Sequence, residues 1–203
     1  GMNFYCVKVG TRYDSTFVIK LENMIAKNYH GDFKFSCITD DKTLPSHIHT
    51  IEMPDLGLEK WWAKMVLFDE LFIEEGFFFD LDVIITDDIT NLWNPGKVPK
   101  FVHTDWIDLN QLHVDTIGNK QRYCSINSSL LMWNKMTKRH HIWQYFMKNK
   151  NKIMDIFTGI DSFIEHRFPD DYELIKKPEA VHILLDKKQD ELGEDPWIQK
   201  HWN

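Results

Sequence analysis

The sequence predicts an α/β fold, an open sheet flanked by helices, in a single domain spanning residues 1–203. Three observations predict it. β-rich apolar segments alternate with segments whose apolar residues recur at helical spacing, beginning with a βαβ unit. The run Phe77-Phe78-Phe79-Asp80-Leu81-Asp82-Val83-Ile84-Ile85 is apolar except for two carboxylates, which suits a strand buried on both faces. Polar turns follow the strands at Gly10, at Thr39-Asp40-Asp41 and at Asp80-Leu81-Asp82. Open α/β sheets bind ligands beyond the carboxyl ends of their strands, so these turns share one rim.

Each element follows from its local pattern. Residues 4–9 alternate and are β-rich, a first strand, and residues 10–15 form a loop. Phe17, Leu21, Met24 and Ile25 then recur at helical spacing. Asp14 or Ser15 suits the N-cap, and His30-Gly31-Asp32 ends the helix. Residues 33–38 are the second strand, and 48–52 a short third strand behind Pro45. Trp61, Met65, Phe68 and Phe72 are spaced 4, 3 and 4, one face of a helix, with Gly76 at the C′ position that stops it. The carboxylate-bearing central strand begins at once. Residues 101–103 are a fifth strand, and 107–123 have no period and read as a long functional loop. Residues 125–133 are strand-like, 142–147 and 160–167 helical, 180–185 a late strand, and 196–202 a closing helical turn.

Composition narrows the function classes. The net charge of −7 argues against nucleic acid or an anionic membrane as partner. It does not exclude phosphate ligands, because a bound cation inverts the local field. Cys6, Cys37 and Cys124 are widely spaced in apolar surroundings, which reads as buried free thiols in a reducing, cytoplasmic setting. No stretch is long and apolar enough for a transmembrane helix, and no signal peptide is evident. Gly1 before Met2 reads as a tag remnant.

The chemistry concentrates at Asp80 and Asp82. Carboxylates are rarely buried unless paired or bound to a metal, so both belong where the strand leaves the sheet. In an extended chain, residues two apart point to the same side. Two hard oxygen ligands on one side suit a divalent cation that also holds a diphosphate. The plain alternative is a strand-ending turn, where Asp is common for local hydrogen-bonding reasons.

The ordered set of segments resembles the GT-A glycosyltransferases, in particular small relatives of glycosyltransferase family 8. Val7-Lys8-Val9-Gly10-Thr11-Arg12-Tyr13 looks like the family's first strand and nucleotide loop, and Cys37-Ile38-Thr39-Asp40-Asp41 like its second strand end. Trp61-Trp62-Ala63-Lys64 looks like the start of the helix before the Asp-x-Asp strand, and Phe79-Asp80-Leu81-Asp82 like that motif itself. Ser125-Ile126-Asn127-Ser128-Ser129 is similar to the Asn-Ser-Ser strand, and Pro196-Trp197-Ile198-Gln199-Lys200-His201-Trp202 to the closing helix. Two departures stand out. Gly159-Ile160-Asp161 occupies the place of a Gly-Asp-Gln segment, and Asp186 the place of the His that serves the family as third metal ligand. His182 lies nearby and ranks below Asp186.

The resemblance implies a Rossmann-like mixed sheet and transfer of a hexose from a nucleotide-sugar, a UDP-sugar, to an acceptor hydroxyl. It implies Mn²⁺ or Mg²⁺ held by Asp80, Asp82 and Asp186. Val9, Gly10, Thr11, Tyr13, Asp40, Lys64 and Leu81 would line the donor site. Taken alone, Gly10 permits a tight turn, Tyr13 packs on the helix, Asp40 is a turn residue and Lys64 is a solvated lysine. Asp105 and Asp161 are the carboxylates able to orient a hydroxyl or act as a base, and Asn127 would meet a sugar. The acceptor, whether glycan, lipid-linked or small molecule, is not specified by these residues. Two other readings stay open. One is a degenerate nucleotide- or sugar-binding module without turnover. The other is a Mg²⁺-dependent nucleotidyltransferase, for which the Gly10 loop is short of glycine and basic residues.

Overall fold

The computed structural model describes residues 1–103, 116–117, 120–121, 124–175, 178–183 and 195–202. It is an α/β chain with strands of mixed direction accompanied by helices, as the sequence predicts. The chain divides into two units. One comprises Gly1–Leu56, Gly76–Asn94 and Pro178–Asn203; the other comprises Gly57–Glu75 and Pro95–Lys177.

The first unit is built on parallel strands. β1 (Met2–Lys8) pairs with β2 (Phe33–Thr39), β2 with β3 (His49–Glu52), and β1 with β4 (Gly76–Phe79). Helix α1 (Ser15–Asn28) connects β1 to β2, capped by Asp14, whose side chain accepts from the Thr16 N–H at 2.9 Å. Its apolar face, Phe17, Val18, Leu21, Met24 and Ile25, is fully buried. Phe4 stacks on Phe77 and Phe79, whose own rings lie parallel at 5.3 Å, because residues two apart share a strand face. Phe78 is equally buried, so β4 is apolar on both faces as expected.

The apolar run 77–85 is split: Asp80 and Asp82 lie where the first strand leaves the sheet, as expected, but the run does not continue as one strand. β4 ends at Phe79, Asp80-Leu81-Asp82 turns, and Val83–Ile85 forms β5, which pairs antiparallel with β11 (Val181–Ile183). The same-side argument for Asp80 and Asp82 therefore does not apply, since it requires an extended backbone. Gly76 is not a helix stop. It opens β4, where a Cβ would lie 2.5 Å from the Asn3 carbonyl oxygen and 2.6 Å from the Tyr5 ring.

In the second unit, β6 (Lys100–His103) pairs antiparallel with β9 (Ile126–Trp133) and parallel with β10 (Glu173–Ile175), a strand the sequence did not signal. The helix expected from Trp61 to Phe72 is instead a 3₁₀ helix, Lys60–Phe68. Residues 62–68 are all buried, so no single stripe is selected; Trp61 is 41% exposed, and Phe72 lies past the helix end in a turn. Helix α2 (His140–Ile156) is much longer than the expected 142–147 and departs from helical geometry at Asn149, and α3 (Ile160–Arg167) has the predicted bounds. Thr116–Ile117 (β7) and Lys120–Gln121 (β8) pair antiparallel inside the stretch expected as a loop; the rest of 107–123 lies outside the described residues. Helix α4 (Pro196–His201) closes the first unit, capped by Asp195.

Cys6, Cys37 and Cys124 are buried thiols outside any disulfide, as expected, with Cys6 and Cys37 in register on β1 and β2. No helix among the described residues is long and apolar enough to cross a membrane.

Candidate active site

The first unit carries three of the predicted features at strand ends. β1 runs out at Lys8, and Gly10 follows with φ +70°, a left-handed backbone that favours glycine. A Cβ at Gly10 would meet nothing within 4 Å, so the residue serves backbone conformation and leaves open space in front of the turn. The Gly10 N–H donates to Asp40 Oδ2 at 3.4 Å, which ties the loop after β1 to the turn after β2. Val9 is half-buried, and Gly10 and Thr11 are exposed. Tyr13 packs edge-on against Phe17 of α1 at 4.8 Å, with the Arg12 guanidinium 5.4 Å from its ring centre.

Behind this loop lies a charge pair that the sequence reading did not single out. Lys8 is only 5% exposed, and its ammonium sits 2.9 Å from Asp41 Oδ2 and 3.5 Å from the Gly10 carbonyl oxygen. Asp41 Oδ1 also accepts from the Thr43 N–H at 2.7 Å and the Thr43 hydroxyl at 2.6 Å. The Thr43 hydroxyl first, then Lys8, hold the Asp41 carboxyl well below the usual carboxylate range. A lysine near the end of an otherwise apolar strand was the available signal, because a buried charge needs a partner.

Asp80 and Asp82 are half-buried around fully buried Leu81. One Asp82 oxygen, Oδ1, is closed off from solvent. Carboxylate oxygens are the donor type that a hard divalent cation takes, and this turn presents two such side chains. Among the described residues no cluster of three His, Cys, Asp or Glu side chains suits a metal. Asp186, expected as the third ligand, lies outside the described residues, as does Asp105. His182 on β11 faces the Thr86 hydroxyl at 3.2 Å and meets the Trp197 ring edge-on at 4.9 Å.

The second unit holds the remaining candidates. Lys64 is not on an exposed face: it is 8% exposed and donates to Ser128 Oγ at 2.9 Å. The 3₁₀ helix has no polar side, and the ammonium satisfies itself on β9. Asn127 is half-buried, and its Oδ1 accepts from the Ser129 N–H at 2.7 Å. The start of that strand is held by α3, since Ser125 donates its N–H to Glu165 Oε1 at 2.9 Å and its hydroxyl to the same oxygen. Asp161 sits in the first turn of α3, where a carboxylate complements the helix dipole, and its Oδ1 is closed off from solvent.

This architecture defines the chain as having the GT-A glycosyltransferase fold, and three solved structures give that class particular members. The chain superposes on the galactosyltransferase LgtC, solved with donor and acceptor sugar analogues, with a TM-score of 0.63 over 92% of this chain and 88% of that one, at 13% identity. The glycosyltransferase GlyE of Streptococcus pneumoniae TIGR4 matches with a TM-score of 0.59 over 86% of this chain and 45% of that one, also at 13% identity. The bifunctional glycosyltransferase WbbM matches with a TM-score of 0.57 over 85% of this chain and 38% of that one, at 6% identity. At these identities the likeness is one of fold. Neither a family model nor a curated protein sequence matches the chain.

Proposed function

We propose that this protein transfers a hexose from a nucleotide-sugar, a UDP-sugar, to an acceptor hydroxyl. The observation that carries the reading is the Asp80-Leu81-Asp82 turn: two half-buried carboxylates at the end of an apolar strand, in a fold shared with glycosyltransferases. The Gly10 turn offers backbone groups and open space to a nucleotide, with Asp40 tied to it. Asp80 and Asp82 would hold Mn²⁺ or Mg²⁺, which supplies Lewis-acid stabilisation of the charge that develops on the departing diphosphate. The buried Lys8 ammonium keeps the Gly10 loop and the Asp41 turn fixed to each other, so the nucleotide meets a preformed surface. Lys64 and Asn127 are held by hydrogen bonds on β9, and Asp161 by its place on α3.

Asp82→Ala tests the reading. The expected outcome is loss of metal-dependent turnover of UDP-sugars, on the order of 3 kcal/mol in transition-state stabilisation, with the fold retained by circular dichroism. Full turnover in Asp82→Ala at saturating donor overturns the metal assignment. Calorimetry with UDP and Mn²⁺ separates the rival readings. Binding without hydrolysis or transfer of any UDP- or GDP-sugar assigns the chain to a binding module, and no binding removes both.

A further inference from the structure

The segment leading into the 3₁₀ helix carries an unusual set of features. Lys60 has φ +54°, the only non-glycine residue with positive φ among those described. A lysine in this region costs conformational energy, and such strain persists where surrounding structure enforces it, often at ligand sites. A nine-residue 3₁₀ run is itself long for that geometry and marks sequence under constraint. The residue that this backbone presents is Trp61.

Trp61 is 41% exposed, yet its indole is fixed. Its Nε1–H donates to the Thr158 carbonyl oxygen. Its pyrrole edge lies flush against Gly159, where a Cβ would come within 2.7 Å of Nε1 and 2.8 Å of Cδ1. Any side chain at 159 would therefore move the ring. The polar tip of the indole is satisfied, its edge is braced, and part of its surface faces solvent. The Lys60 ammonium lies over the ring, 5.5 Å from its centre, on an exposed side chain.

An aromatic surface held rigid, with a mobile-stemmed cation at hand, matches one ligand chemistry. A pyranose ring has a C–H face that packs on an aromatic plane and hydroxyls around its edge that take charged hydrogen bonds. We infer that Trp61, braced by Gly159 and Thr158, is a stacking platform for a pyranose ring, with Lys60 as its hydroxyl partner. The inference rests on the glycosyl-transfer reading for which sugar arrives there, and it deepens that reading by assigning a sugar subsite.

Nuclear magnetic resonance of ¹⁵N-labelled protein tests it. The eight tryptophans give resolvable indole N–H signals, and Trp61 is the one lost in Trp61→Phe. The titrants are methyl β-glucopyranoside, methyl β-galactopyranoside, lactose, UDP, UDP-glucose and UDP-galactose. A saturable shift of the Trp61 signal with a free pyranoside supports the platform and places it on the acceptor side. A shift with a UDP-sugar that UDP alone does not cause supports it on the donor side. Trp61→Ala and Gly159→Ala, checked for folding by thermal unfolding, are expected to weaken sugar binding about tenfold, the loss of one stacking face at roughly 1.4 kcal/mol. Trp61→Phe retains an aromatic face and is expected to lose less. An equal shift with UDP alone makes the platform a base-stacking surface and overturns the assignment. No shift with any sugar also overturns it. If UDP still perturbs other signals, the transfer reading survives that failure; if UDP perturbs nothing, both fall.

Discussion

At the scale of single residues, the informative positions are charges where charge is costly. Lys64 is buried among apolar neighbours on the 3₁₀ helix, and its ammonium donates to the Ser128 hydroxyl. Hydrogen bonds to charged groups are worth more than neutral ones, so Ser128→Ala is expected to lower stability by about 1.5–3 kcal/mol in urea unfolding. A change under 0.5 kcal/mol would mean that the Ser128 carbonyl, 3.5 Å from the ammonium, takes over the bond at little cost. Asp41 gives a prediction with a sign. Its carboxyl is held low by Thr43 and then by Lys8, so the folded state favours the ionised form. A depressed folded pKa contributes stability that is present above the unfolded carboxylate value, near 4, and is lost as pH falls below it. Asp41→Asn is therefore expected to destabilise the protein at neutral pH, and its gap from the parent should close as unfolding is measured at successively lower pH through that range. A gap that stays constant with pH would place the stabilisation in shape, not charge.

At the scale of elements, what was legible followed from patterns that packing does not override. β1, α1, β2 and α3 fall where alternation, helical spacing and an N-cap put them, because each buries one clear face or closes with local chemistry. The segment from Trp61 to Ile85 was legible in part. Its apolar residues include a set at helical spacing, but apolar residues also fill the positions between, and burial of residues 62–68 on every side leaves no single stripe. Likewise the β-branched residues Val83, Ile84 and Ile85 looked continuous with Phe77-Phe78-Phe79, yet they pair with a different strand, β11. Sequence local to the run contains no record of that partner. The candidate site divides the same way. Asp80, Asp82, Gly10 and Asp40 were readable as polar punctuation after strands, whereas the inward turn of Lys64 and the Lys8–Asp41 pair depend on neighbours distant in sequence. Gly76 shows the cost of reading locally: it resembles a helix stop, but β1 passes so close that no Cβ fits. Gly76→Ala must push Asn3 and Tyr5 away from β4, and overpacking of this kind costs about 1–3 kcal/mol. Chemical denaturation measures it, and a neutral result would mean that β1 and β4 can separate without penalty.

At the scale of the whole molecule, the proposed nucleotide binding makes a prediction about stability, because a ligand that binds the folded state stabilises the unit that holds it. The Gly10 loop, Asp40 and the Asp80-Leu81-Asp82 turn all belong to the unit formed by Gly1–Leu56, Gly76–Asn94 and Pro178–Asn203. A ligand that binds only the folded state stabilises it by about 2.7 kcal/mol at a hundred times its Kd. For a chain of 203 residues, each kcal/mol moves the melting temperature by roughly 2–4 °C, so UDP with Mn²⁺ should raise it by roughly 5–10 °C. If the two units melt together, the single transition shifts; if they melt apart, the shift belongs to the transition of the unit carrying Gly10 and Asp82. The metal contribution is read by difference. Mn²⁺ is expected to enlarge the shift given by UDP, and Asp82→Ala to remove that increment while keeping what UDP gives alone. A shift from UDP that Mn²⁺ leaves untouched, and that Asp82→Ala retains in full, would assign all the stabilisation to the Gly10 loop and take the two carboxylates out of metal binding.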